Sequence, residues 1–145
     1  MAPTVKEPPQ EFDATVETLI VGAGASGLIA ALSAVEAGQE VMVIEADAVP
    51  SGSTALSAGL IPAAGTKIQQ AAGIQDSTAL FADDIQAKAH QENNQELVDL
   101  LAQNAAEVID WLTQTHGLAF SLVDDFDYPG HSSRRMHGLP TRAGS

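Results

Sequence analysis

The residues whose types and spacing could do chemistry fall into two groups. The first is Gly22, Gly24 and Gly27, set as G-x-G-x-x-G inside the run LIVGAGASGLIA (Leu19 to Ala30). The second is His131, Arg134, Arg135 and His137, within GHSSRRMHGLPTRAG (Gly130 to Gly144). Glycines at that spacing act by what they lack. Gly22 permits a tight turn, Gly24 lets a diphosphate approach the backbone, and Gly27 lets a helix lie close to a sheet. The amides of Ala25, Ser26 and Gly27, at a helix start, then face the phosphate charge with the helix dipole behind them. No lysine is required. The second group offers guanidinium forks that hold carboxylates or phosphates bidentately. It equally suits a loop tied to the neighbouring acids Asp124, Asp125 and Asp127.

A glycine turn of this kind works only between a strand and a helix. Val16–Val21 is apolar and predicts the strand. Ala25–Ala37 predicts the helix, with Gly38 as its left-handed stop. EVMVIEA (Glu40 to Ala46) predicts a second strand, apolar enough for a buried parallel position. Strand, turn, helix and strand within about thirty residues make a βαβ unit. Glu45 ends the second strand, eighteen positions after Gly27. An acid about 20 positions on accepts hydrogen bonds from an adenosine ribose, and a carboxylate there repels a 2′-phosphate. The plain alternative is a glycine-rich turn beside a surface glutamate, and it must account for all five features together.

Further along, Val49 to Gly73 is rich in Ser, Gly, Ala and Thr and reads as extended loop with a short helix. Asp76-Ser77 predicts the cap of a helix running to about His90. Asn93 or Asn94 caps a second, with Leu97, Leu100, Leu101, Val108, Ile109 and Leu112 at helical spacing and Gly117 near its end. Phe120 to Gly144 is polar and reads as loops across a surface. Residues 1–14, with Pro3, Pro8 and Pro9, read as a flexible tail. Trp111 is expected in the core, and His90 and His116 in solvent.

Composition bounds the function. The chain has 145 residues, 45% of them hydrophobic and six aromatic, the size of one domain. It has no cysteine, which excludes disulfides, thiolate metal sites and cysteine nucleophiles. No metal site is expected. The net charge of −13 argues against nucleic acid, whose phosphates need a basic surface. Of six Lys and Arg, three (Arg134, Arg135 and Arg142) fall in the last twelve residues. The start carries no apolar leader, and the longest apolar stretch, near Leu28 to Val35, is too short to span a bilayer. A cytoplasmic protein is expected.

The segment SGSTALSAGLIPAAGT (Ser51 to Thr66) resembles the second flavin-contacting segment of the fumarate reductase/succinate dehydrogenase flavoprotein family. That family includes L-aspartate oxidase and ketosteroid dehydrogenases. The matching positions are Gly52, Ser53 and Thr54, a turn beside the FAD diphosphate, and Ala58 and Gly59, a small-residue run under the flavin. Asp76 to Phe120 looks like the family's helical pair, and Gly130 to Gly144 resembles the G-H-S-x-R-R-x-x-H stretch of L-aspartate oxidase-like members. The resemblance covers Thr18 to Gly144. It implies an α/β fold, a Rossmann-like FAD-binding βαβ core with a helical insertion. It implies FAD rather than NAD, with Glu45 and Ala46 at the ribose.

The same resemblance implies hydride transfer between flavin and a carboxylate- or carbonyl-bearing substrate in the full-length enzyme. His131, Arg134, Arg135 and His137 are then candidates to hold a di- or tricarboxylate or the FAD phosphates. Two departures stand out. Leu60 replaces the second glycine of the family's A-G-G. Ser53 stands where members with covalent flavin carry histidine, so the FAD is expected to be non-covalent. Residues 15–145 would be the N-terminal portion of an FAD-binding domain, with the capping domain and principal catalytic residues beyond Ser145. The chain alone would be inactive, and an oligomer or partner would cover its open sheet edge. A non-catalytic nucleotide-binding module and an NAD-binding subunit remain as other readings.

Overall fold

The computed structural model describes residues 7, 9 and 11–141. Most of the expected tail, and Arg142, lie outside the described residues. The chain divides after Thr54 into two compact units.

The first unit is built on β1 (Thr18–Val21), α1 (Ala25–Glu36) and β2 (Val41–Ile44). The strands pair in parallel with Thr18 opposite Val41 and Val21 opposite Ile44. A parallel pair needs a crossover, and α1 supplies it. Gly38 stops the helix at φ +81°, the left-handed conformation that costs a glycine nothing. Little of this unit is buried. No residue of α1 is, and Leu19, Val21, Leu28, Val35 and Ile44 are exposed. A short helix, α2 (Ser53–Leu56), straddles the division.

The second unit holds β3 (Ile61–Pro62), α3 (Lys67–Ala71), α4 (Thr78–Lys88), α5 (Gln95–Gln114), β4 (Ser121–Leu122) and β5 (Met136–Gly138). Phe81 of α4 and Ala102 of α5 meet Ala64 in a core, with Ile109 and Leu112 also buried. The caps are those the residues invite. Ser77 Oγ accepts from the Leu80 amide, and Asn94 Oδ1 from the Leu97 amide. On α5 the buried face is Val98, Ala102, Ile109 and Leu112, while Leu97, Leu100 and Leu101 remain exposed. Trp111 is half-buried, edge-on to His116.

The helical insertion after the second strand is present, as expected. Two stretches read as loop carry more. Val49–Gly73 contains α2, β3 and α3, and the polar stretch after Phe120 contributes β4 and β5. β5 is the middle of a three-stranded antiparallel sheet, order β3-β5-β4, and its residues are buried. Strands of two or three residues are too short to show periodicity. Pairing with distant segments makes them.

Candidate dinucleotide-binding site

Local backbone demands shape the glycine turn. Gly22 leaves β1 at φ +102°, and its amide donates to the Ile44 carbonyl at 2.7 Å. A Cβ on Gly27 would lie 2.0 Å from the Gly22 carbonyl oxygen, so the helix can start here only without one. Gly24 is different. Its φ of −74° suits any residue, and a Cβ there would meet only Thr54 Oγ1, at 3.6 Å. The protein's own packing does not call for glycine at 24. Gly24 caps α1 without a side-chain hydrogen bond, so the first turn keeps amides for an outside anion. The Ala25 amide is engaged by Thr54 Oγ1 at 3.0 Å.

The fold brings Glu45 to this turn. Its carboxylate accepts from the amides of Ala23 and Ala46, each at 2.8 Å, and of Asp47 at 3.3 Å. These amides, Ala23 foremost, hold the carboxyl below its usual range, and burial opposes them only slightly. The group is therefore a carboxylate at neutral pH. A carboxylate has about four acceptor positions, so three amides leave room for one further donor. Glu45 thus ties the turn together, a role that its position in the sequence did not disclose. Gly52 turns at φ +83°, and Ser53 and Ala46 are exposed. In the second unit Ala58 is exposed and Gly59 sits at φ +65°, its amide donating to Ser57 Oγ at 3.1 Å. Leu60 is half-buried just before β3.

Arg135 and His137 of the arginine–histidine segment are engaged by side chains elsewhere in the second unit. Arg135 is completely buried. Its Nε and Nη2 hold Asp76 bidentately at 2.9 Å, and Nη1 donates to Asp84 Oδ2 at 2.5 Å. The Phe81 ring lies under the guanidinium, 4.9 Å from its carbon. Asp84 also takes the amide and hydroxyl of Ser132, at 2.7 and 2.6 Å. Burial pushes Asp84 up, but Ser132 and Arg135 outweigh it and hold the carboxyl below its ordinary value. Burial likewise opposes the charge on Arg135, and the two carboxylates more than restore it.

His137 is buried too. The Arg135 carbonyl can only accept, so Nδ1–H donates to it at 2.9 Å, and Nε2 takes the Thr66 hydroxyl at 2.9 Å. Burial lowers its pKa despite the nearby carbonyls of Arg135 and Ile61. His131 is half-buried, its ring 5.0 Å from Tyr128 and edge-on to Phe81. Its Nδ1 is buried with no partner among the described residues. Burial, then the charge of Arg135, keeps it below the usual imidazole value. Arg134 is exposed and reaches Asp127 at 3.0 Å. Together with Tyr128 and His131 it lines a cavity of about 380 Å³. Of the four candidates for a substrate or phosphate, Arg135 and His137 spend their bonds internally, and Arg135 pairs with Asp76 and Asp84 rather than the acids near 125. Neither partner acid stood out in the sequence, where Asp76 looked like part of a helix cap.

The family described as FAD binding domain matches residues 17–144. The chain belongs to it. Its relatives include a fumarate reductase (cytochrome) of Shewanella frigidimarina, 34% identical over 85% of this chain. A urocanate reductase of Eggerthella lenta is 31% identical over 88%. This FAD-binding domain spans 21% of the length of each of these two relatives. The solved open conformation of a flavocytochrome c3 fumarate reductase superposes on 91% of the chain with a TM-score of 0.75 and 31% identity, covering 24% of that structure's chain. The cofactor is FAD, and the fold is that of the FAD-binding domains of fumarate reductase-type flavoenzymes. Gly24, open on the side its missing Cβ would fill, fits that cofactor. Among the described residues no helix is long and apolar enough to cross a membrane.

Proposed function

We propose that this chain holds FAD for a flavin-dependent oxidoreductase acting on a small carboxylate- or carbonyl-bearing substrate. The observation that carries the reading is Gly24, a residue whose missing side chain serves no internal contact, at a helix start with amides to offer. Gly22, Gly24, Ala25, Ser26 and Gly27 take the diphosphate. Glu45 and Ala46 take the ribose, with Gly52, Ser53 and Thr54 beside the phosphates and Ala58 and Gly59 at the flavin. Bound FAD would supply hydride transfer at flavin N5. Ser53 cannot form the covalent link a histidine can, so the cofactor is held non-covalently. Exposed Arg134 is the best placed of the basic residues to meet a di- or tricarboxylate. The exposed apolar residues of β1, α1 and β2 suit cover by an oligomer or partner, and the proposed compartment is the cytoplasm.

Acid denaturation of the isolated protein tests the first step. Free FAD in the supernatant, matched by loss of the visible flavin band, is the expected result. Flavin that stays with the precipitate would mean a covalent bond. A colourless protein that binds NADH would mean an NAD-binding subunit, and one binding neither would mean a non-catalytic module. Within the site, Glu45→Gln should weaken FAD by about tenfold, the effect of exchanging a charged acceptor for a neutral one. Equal affinity would remove Glu45 from the ribose.

A further inference from the structure

The segment after Ala58 and Gly59 is fastened to β5 at nearly every step. Ile61 pairs with His137 and Pro62 with Met136. The Ala63 amide donates to the Arg135 carbonyl at 2.9 Å. Gln69 then holds the corner, its Oε1 accepting from the Gly65 and Thr66 amides and its Nε2 donating to Asp76 and to the Arg134 carbonyl. The backbone part of this fastening is slight, because β3 has only two residues. Two-residue strands do not hold a register alone, and a slip of one position sends every side chain to the opposite face.

One side-chain bond closes the far end of the segment. Thr66 and His137, 71 positions apart, meet at 2.9 Å, and both are completely buried. Its direction is fixed by its neighbours. The Arg135 carbonyl takes Nδ1–H, which leaves Nε2 as an acceptor. Thr66 Oγ1 accepts from the Gln69 amide at 3.0 Å, so its proton goes to Nε2. The alternating chain of donors works in only one register. His137 also stands opposite Leu122 of β4, so the same residue locks both neighbours of β5.

We propose that the Thr66–His137 hydrogen bond is the register pin of the flavin-facing segment: Thr66 and His137 are positioning residues that touch no part of FAD and fix where Ala58, Gly59 and Leu60 meet the isoalloxazine. The proposal rests on the reading that Ala58 and Gly59 face the flavin. It gives His137 a task other than holding substrate.

The test compares FAD-loaded parent protein with Thr66→Val, Thr66→Ser, His137→Asn and His137→Gln. The readouts are the shape of the visible flavin band, flavin fluorescence and the FAD dissociation constant. Valine leaves the Gln69 amide and His137 Nε2 without partners. It should shift the band and weaken FAD about tenfold, the effect of one buried hydrogen bond with its partners stranded. Serine keeps the hydroxyl and should match the parent. His137→Asn keeps a donor for the Arg135 carbonyl and loses the reach to Thr66, so it should behave like Thr66→Val and carries the test if valine costs the fold. His137→Gln, which reaches Thr66, should stay nearer the parent. A folded Thr66→Val or His137→Asn with the parent's spectrum and affinity would overturn the pin while leaving FAD binding intact. A parent protein that takes up no FAD would overturn the reading beneath it.

Discussion

The glycine turn and the arginine–histidine segment are opposites in how they treat polar groups. At the turn, the Ala23 and Ala25 amides are engaged by Glu45 and Thr54, and the rest of the first helical turn has amides to offer. Gly24 offers no side chain and so no cap bond of its own, and half-buried Glu45 keeps an acceptor position to spare. In the segment near Arg135, Nε, Nη1 and Nη2 of the buried guanidinium each meet a carboxylate, and each of those carboxylates meets a further donor. Buried polar groups must be satisfied, whereas a binding site leaves something for its ligand to satisfy. Charge alone therefore points the wrong way here. Buried Arg135 builds structure, and the residues proposed for the cofactor are mostly uncharged.

The sharpest way to break this contrast is Arg135→Met. If the guanidinium is structural, its removal leaves Asp76 and Asp84 buried without a counter-charge, and stability should fall by about 3–5 kcal/mol. Denaturant unfolding measures it. A variant as stable as the parent, but with altered ligand binding, would move Arg135 from the scaffold to the site.

At the glycine turn the corresponding change is Gly27→Ala. Its methyl group would start 2.0 Å from the Gly22 carbonyl oxygen, so β1 and α1 must part. Overpacking of this kind costs about 1–3 kcal/mol, and FAD affinity should fall with it because the amides turn away. Gly24→Ala separates the two effects. It meets nothing closer than 3.6 Å in the protein, so stability should hold while FAD is lost. Equal FAD affinity for Gly24→Ala would dismiss the open face as accidental.

How far the sequence could be read divides along the same line. The βαβ unit was legible because its signals are local: glycines at fixed spacing, a left-handed stop at Gly38, an acid after the second strand. The α4–α5 pair was legible from Ser77 and Asn94, each the cap of the helix directly after it. The sheet β3-β5-β4 was not, because strands of two or three residues exist only through partners elsewhere in the chain, about 15 positions away for β4 and more than 70 for β3. Arg135 and His137 looked like ligand holders for the same reason. Nothing near them in the chain announces Asp76, Asp84 or Thr66, the groups that use them up. Arg134, one position earlier, faces solvent and pairs with Asp127, an acid close by in the chain.

Acidification should also separate the two regions, with a smaller effect than either substitution. His131 and His137 are held below the ordinary imidazole value of about 6.5, chiefly by burial. A group with a lowered folded-state pKa contributes stability that is complete above its unfolded value and lost as the pH falls through the folded one. Protonation also turns His137 Nε2 into a donor facing a hydroxyl that already gives it a proton, and puts a second cation beside Arg135 at His131. Facing His131 are Asp84 and Lys88 from α4, Asp76 from the loop before it, and Tyr128, Arg134 and Arg135 from its own segment. Asp84 and Glu45 are held below the carboxylate range and stay ionised through this window. Between about pH 7 and pH 5, melting should therefore fall by a few degrees, and FAD affinity should weaken only as far as the Thr66–His137 bond is lost. His131→Phe keeps a ring between Tyr128 and Phe81 and cannot charge, so it should remove part of the acid sensitivity. Melting that is equally acid-sensitive in His131→Phe would leave His137 as the group responsible. FAD affinity that falls with acid as steeply in Thr66→Val as in the parent would mean that acid acts at the glycine turn itself, and the contrast between the two regions would no longer hold.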